Sequence, residues 1–297
     1  MGYGHWTRES FERYSASVGR DVDASGHLDA GLTDRQIFRQ RGLHPLLDPR
    51  NVTRECRDSG EHPATIPVIL ALDVTGSMGP ASAEVAKKMN EVMTRLYGTV
   101  KDVEFLAMGI GDLAYDRAPI QISQFESDIR IAEQLDRIWM EHGGGGNAYE
   151  SYTAAWYMAS RHTDIDCLKR GKKGLIITMG DEPMNPYLPY RPLAAATGDS
   201  LQADVETRDL YREASEKYDM WHIHVKHREP DMYLTGAVRS FGAVLPHGHM
   251  TVSSIGDLAE KLIGIITAHA NEDNGIILRK EEKPAGVGRR LFGLFSW

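Results

Sequence analysis

Cysteine is nearly missing from this sequence: two residues, Cys56 and Cys167, in a chain of 297. Two cysteines without metal-ligand spacing exclude a disulfide scaffold and a cysteine-built zinc centre. They fit a reducing compartment. No window approaches the ~20 consecutive apolar residues that a membrane-spanning helix needs. Met1 to Trp6 has no apolar stretch of the secretory kind. These shortages together lead us to expect a cytoplasmic protein. An excess of basic charge is also lacking. Lys and Arg number 34 against 42 Asp and Glu, a net charge of −8, so the electrostatic footprint of a nucleic-acid binder is absent. What remains is ordinary. A hydrophobic share of 41% with 26% charged residues suits one large α/β domain with extensions, or two small domains.

The most informative stretch runs from Val68 to Gly79. Five apolar residues, Val68 to Leu72, are followed by Asp73, Val74, Thr75, Gly76, Ser77, Met78 and Gly79. A continuous apolar run bounded by turn residues predicts a strand buried on both faces of a parallel sheet. In such sheets the residues just past the strand's carboxyl end build the ligand site. Asp73, Thr75 and Ser77 place three small oxygen donors there, with Gly76 and Gly79 allowing the backbone to bend. A hard cation such as Mg²⁺ takes oxygen ligands of this kind. One carboxylate and two hydroxyls would leave it under-neutralised and open to a further carboxylate. The competing reading is structural: Asp73 caps the next helix and the hydroxyls satisfy its amides.

The remaining pattern alternates strands and helices. Strands are expected at about Ile66–Leu72, Val103–Met108, Leu175–Thr178, Met220–Val225 and Ala243–Leu245, with a short edge strand at Pro119–Ser123. Helices are expected at Pro80–Tyr97, Ser127–Met140, Tyr149–Arg161, Leu201–Tyr218, Met232–Ser240 and Ile255–Ala270. The fold class that follows is α/β, with a doubly wound, mostly parallel central sheet flanked by helices. Residues 1–62 read as a polar N-terminal arm with one short helix opening at Thr33-Asp34-Arg35-Gln36, a capping-box pattern. Residues 63–270 read as the domain. Residues 271–297 read as a tail, ending in Leu291, Phe292, Leu294, Phe295 and Trp297 beside Arg289 and Arg290, which suits a docking motif for a partner. Asn185–Ser200, rich in Pro and Tyr, reads as a long loop beside the site, suited to protein recognition.

Asp73-x-Thr75-x-Ser77 at the end of an apolar strand resembles the Asp-x-Ser/Thr-x-Ser signature of von Willebrand factor A domains, the first loop of their metal-ion-dependent adhesion site. Residues 66 to 269 can be read in that family's order of elements. The resemblance implies a Mg²⁺ ion (or Mn²⁺ or Ca²⁺) and a protein partner whose carboxylate completes the coordination. It also implies that cytoplasmic relatives work with ATPases or in multi-protein assemblies. The sequence departs from the pattern twice. The family's Gly-Gly-Gly-Thr loop is here Gly143-Gly144-Gly145-Gly146-Asn147, so Asn147 stands nearest the threonine ligand, with Glu150, Ser151 or water as substitutes. The family's Thr-Asp-Gly is here Thr178-Met179-Gly180-Asp181, so Asp181 becomes the candidate third-loop ligand, with Glu182 second. The metal set is thus Asp73, Thr75, Ser77, Asn147 and Asp181. Asp112 and Asp116 are candidates for its outer shell.

Three functional classes follow. The first is a metal-dependent protein-interaction module in a cytoplasmic assembly. The second is a structural or conflict-system subunit whose metal site is vestigial, which the changes at Gly146 and Met179 favour. The third is a metal-dependent hydrolase or phosphatase. A haloacid-dehalogenase-type phosphatase would need an acid where Thr75 stands, and Thr75-Gly76-Ser77-Met78-Gly79 is not the Gly-x-Ser-x-Gly of a serine hydrolase. His222 and His224 share a strand face, and His247 and His249 lie nearby. Ordinary packed histidines are favoured there over zinc.

Overall fold

The computed structural model describes residues 4–142 and 149–273. Asn147 and the apolar chain end at Leu291–Trp297 lie outside these residues. The strands in chain order are β1 (Arg54–Cys56), β2 (Ile66–Asp73), β3 (Val103–Ile110), β4 (Ile120–Ile122), β5 (Thr163–Ile165), β6 (Gly174–Gly180), β7 (Tyr187–Leu188), β8 (Val205–Glu206), β9 (Tyr218–Lys226) and β10 (Met250–Ser254). Six form the central sheet in the order β10-β9-β6-β2-β3-β4. Every pairing is parallel except β3 with β4. All residues of β2, β3 and β6 are buried, as expected where helices cover both faces. The expected α/β class is therefore present.

The chain leaves β2 toward β3 and later returns to β6 on β2's other side. The connections after β2 and β6 consequently diverge, and a crevice opens between them at the carboxyl ends of the strands. Asp73 closes β2 and Asp181 follows β6.

Some elements differ from expectation. The helix foreseen over Pro80–Tyr97 is two, Gly79–Lys87 and Met89–Thr99. Ala243–Leu245 is a turn after the helix Leu234–Gly242, and the outer strand lies at Met250–Ser254 instead. The Pro/Tyr loop holds β7 and a helix, Tyr190–Thr197. Pro192 sits in that helix's first turn, where a missing N–H costs nothing. Leu193 and Thr197 bury its inner face, and Gly198 ends it at φ +84°, a left-handed position that suits glycine.

Residues 4 to 58 pack against the domain. Trp6, Phe11, Leu28, Ile37, Phe38 and Leu47 join the larger apolar core. The Trp6 indole Nε1 donates to Asn90 Oδ1 at 3.1 Å. The foreseen capping box at Thr33 forms, with Gln36 reaching back to the Thr33 backbone.

One core residue gives the fold a pH dependence. Glu104 on β3 is 1% exposed, and its Oε2 has no hydrogen-bond partner. Burial pushes its carboxyl from the ordinary 4.5 up to about 7, although the Cys56 thiol donates to it. Between these two values the folded chain holds a proton that the unfolded chain has lost, so stability falls as pH rises. Raising the pH from 5 to 8 should cost roughly 2–3 kcal/mol through this group. In Glu104→Gln that loss should vanish, making the variant the more stable protein at pH 8. Urea unfolding of both proteins at the two pH values checks this. Parallel pH profiles would place the dependence elsewhere.

Candidate metal centre at the sheet's carboxyl edge

The loop after β2 is built by its own short side chains. Asp73 Oδ1 accepts from the Thr75 backbone N–H at 2.8 Å and from Thr75 Oγ1 at 2.6 Å, an Asx-type turn that bends the chain as it leaves the sheet. Thr75 Oγ1 lies 3.4 Å from Ser77 Oγ. Ser77 Oγ donates to Asp181 Oδ1 at 2.9 Å. Asp73, Thr75, Ser77 and Asp181 thus form one connected hydrogen-bonded chain across the crevice. Gly76 passes close to the backbone of His142: a Cβ there would stand 3.0 Å from the His142 carbonyl oxygen.

Two residues that sequence reasoning passed over cap the two ends of this chain. The Tyr152 hydroxyl donates to Asp73 Oδ2 at 2.8 Å, from a ring that is wholly buried. His227, just beyond β9, places Nε2 at 2.7 Å from Asp181 Oδ2. His227 carries a signal visible in hindsight, since it too follows a strand's carboxyl end. Tyr152 has no such mark, and only the opening glycine of its neighbour Gly180 hints at it. A Cβ on Gly180 would lie 1.9 Å from the Tyr152 oxygen.

The electrostatics are dominated by burial. Asp73, 0% exposed, is pushed up to about 7, chiefly by desolvation and further by Asp181, against the hydrogen bonds from Thr75 and Tyr152. Glu150 lies in the same acidic field. Burial raises it to about 11, with Asp73, Glu182, Asp116 and Asp112 adding to the shift. Its Oε2 has no partner. Glu182 rises to about 7 for the same leading reason. Asp112 and Asp116 shape their own loop: Asp112 Oδ1 accepts from Ala114 N–H, and Asp116 Oδ2 from Asp112 N–H. Ser151 Oγ accepts from Leu113 N–H, so it anchors that loop.

The donor set fits a hard divalent ion. Two carboxylates and two hydroxyls from two loops are all oxygen, and Asp181 is oriented from behind by His227. Among the described residues no three His, Cys, Asp or Glu side chains converge tightly enough to hold a metal by themselves, so the hydroxyls of Thr75 and Ser77 are essential to any such site. The histidine pairs are occupied in packing. His222 Nδ1 pairs with Thr178 Oγ1 at 2.9 Å, and its ring stacks on Phe241. His224 Nε2 meets Asp231, and His249 stacks on Trp221.

The strand order, the single antiparallel strand at one edge and the Asp-x-Thr-x-Ser loop at the switch point together decide the architecture. The domain is von Willebrand factor A-like in fold. No protein-family model matches the sequence, and no curated protein matches it. Among solved structures, the chain is similar to the pilus adhesin SpaC from Lactobacillus rhamnosus GG in its open conformation. That match has a TM-score of 0.48 and 10% identity, covering 74% of this chain and 31% of the adhesin. The chain therefore spans about a third of that adhesin's length. It is also similar to the vWF domain of the type V pili tip protein Mfa5 from Porphyromonas gingivalis (TM-score 0.45, 13% identity, 74% of this chain and 98% of that one). A third is BatB from Bacteroides thetaiotaomicron (0.39, 13%, 71% and 99%). Among the described residues no helix is long and apolar enough to cross a membrane.

Proposed function

We propose that this von Willebrand factor A-like domain is a non-enzymatic, Mg²⁺-dependent protein-interaction module. One observation carries the reading: Asp73, Thr75, Ser77 and Asp181, from two loops 104 residues apart, meet in a single hydrogen-bonded chain at the sheet's switch point. Ser77 and Asp181 would hold the ion and Asp73 would anchor Thr75. The ion would supply an electrophilic position for a partner's carboxylate. Tyr187 in β7 and Tyr115 on the loop after β3 are both well exposed, and such aromatics suit the rim of a protein interface.

A second reading has its own support. Each oxygen of Asp73 and Asp181 already has a partner within the protein, Thr75 and Tyr152 for the first and Ser77 and His227 for the second. A network so satisfied would serve as a metal-free scaffold in a structural or conflict-system subunit.

Calorimetric titration of metal-stripped protein with Mg²⁺ and Mn²⁺ separates the two. The expected result is one site whose affinity falls at least about 100-fold in Asp73→Ala and in Ser77→Ala, with metal affinities sensitive to single ligands. Ser77 is only half-buried, so its variant keeps the test meaningful if Asp73→Ala fails to fold. No binding, or equal binding in both variants, removes the metal reading and leaves the scaffold.

A further inference from the structure

The carboxyl edge is acidic around Glu150, yet its other flank is basic. There a groove of about 640 Å³ runs between residues 35–41 and residues 139–142. Arg35, Arg39 and Arg41 line one side, and Trp139 lines the other. Arg35 and Arg41 are exposed and make no ion pair or side-chain hydrogen bond among the described residues. Arg39 also lines the groove, but its guanidinium is held by the Gln36 and Val18 carbonyls and its charge acts on the buried Asp136. The only carboxylate in the lining is Glu141, and both its oxygens accept from the backbone N–H of Arg117. Two available guanidinium groups therefore line one groove in a chain whose net charge is −8.

The groove leads to the candidate metal centre. Glu141 N–H donates to the Val74 carbonyl at 3.0 Å, one residue beyond Asp73. His142 sits at φ +55°, a left-handed turn rare outside glycine, and this turn presses its carbonyl against Gly76. The wall that carries Trp139 thus continues directly into the loop that carries Thr75 and Ser77.

The geometry points to this groove as the seat of an extended acidic peptide segment of a protein partner, whose carboxylates pair with Arg35 and Arg41 while an apolar side chain lies on Trp139. Guanidinium forks match carboxylates bidentately, and an aromatic in the lining supplies the apolar anchor. Charge complementarity favours a peptide over a nucleic acid. A phosphate backbone would need a long basic track, and this one ends at the acids Asp112, Asp116, Glu150 and Glu182. The inference names the partner for the interaction-module reading, but the groove does not need the metal in order to bind.

The test is fluorescence anisotropy of full-length protein with a fluorescein-labelled peptide, Gly-Asp-Glu-Asp-Leu-Asp-Glu-Gly, at low ionic strength, in EDTA and in Mg²⁺. Arg35→Glu/Arg41→Glu should weaken binding at least about tenfold in both buffers. Arg208→Glu/Arg239→Glu, an equal charge change at exposed positions away from the groove, should leave it within about twofold. Equal losses in the two double variants would mean diffuse attraction and overturn the groove. Tighter binding of an oligothymidylate of matching charge through the same arginines would overturn the peptide. Asp73→Ala should matter only in Mg²⁺. If it matters in neither buffer while the Arg35/Arg41 effect stands, the metal reading fails and the groove survives.

Discussion

Asp136→Ala is expected to destabilise the fold by about 3–5 kcal/mol, the cost typical of stranding one member of a buried ion pair. Arg20 has a side chain 5% exposed. Its Nη1 reaches both oxygens of Asp136 at 2.8 Å, and its Nη2 donates to the Ile37 carbonyl at 2.6 Å. The Tyr14 hydroxyl also donates to Asp136 at 2.7 Å. Burial holds the Asp136 carboxyl above its ordinary range in spite of Arg20, so desolvation and attraction come close to cancelling. The pair is therefore weak as a source of net stability and costly to break. In Asp136→Ala the guanidinium would keep only the Ile37 carbonyl and remain out of water. In Arg20→Met/Asp136→Leu both charges go, and the loss should shrink to about 1 kcal/mol or less. Urea midpoints of the three proteins measure this. A loss below about 1 kcal/mol in Asp136→Ala would show that water reaches Arg20 and that the pair is not truly buried.

That pair also shows where the sequence was hard to read. The central strands were legible because β2, β3 and β6 are unbroken apolar runs, and such runs need no tertiary information. Residues 1–62 looked like a polar arm because their buried side chains follow no period. Trp6, Phe11, Leu28, Ile37 and Leu47 are isolated apolar residues in polar surroundings, and only the tertiary fold gathers them into one core cluster. Arg20 and Asp136 are 116 residues apart and carry no local mark of being paired. The helix Tyr190–Thr197 was hidden by its three flanking or internal prolines, which signal turns unless they fall in a first turn. In the candidate site, Asp73, Thr75 and Ser77 were legible because one loop holds all three. Asp181 was reached by allowing the family's third loop to slip by two residues. Tyr152 and His227 were missed because their role exists only through contacts 79 and 46 residues away along the chain.

Gly180→Ala should cost about 3 kcal/mol or more, as overpacking of a rigid interior does when nothing can yield. The added Cβ would stand 1.9 Å from the Tyr152 oxygen and 2.4 Å from its Cζ. Retreat is blocked. Tyr152 is wholly buried, with the His222 ring at 5.2 Å and the Phe241 ring at 5.8 Å, while its hydroxyl donates to Asp73 and accepts from the Glu182 N–H. Gly98→Ala is the control. Nothing lies within 4 Å of its Cβ position, and in the helix Met89–Thr99 alanine should stabilise by about 0.5–1 kcal/mol. Tyr152→Leu in the Gly180→Ala background should recover part of the loss, since the two changes act on one contact and cannot be additive. Differential scanning should place Gly180→Ala roughly 6–10 °C below the parent. A shift under about 2 °C would mean that β6 moves to accept the methyl and that the contact is not rigid. The consequence reaches the candidate metal centre. Where the resembling family carries an aspartate and then a glycine after its threonine, this chain has Met179 and Gly180. The vacancy at Gly180 is what admits the phenol to Asp73, while the carboxylate needed opposite Ser77 is delivered by the next residue, Asp181. Gly180 thus joins the phenol on Asp73 to the acid that follows it, Asp181. A variant that closes Gly180 should disturb Asp73 and Asp181 together.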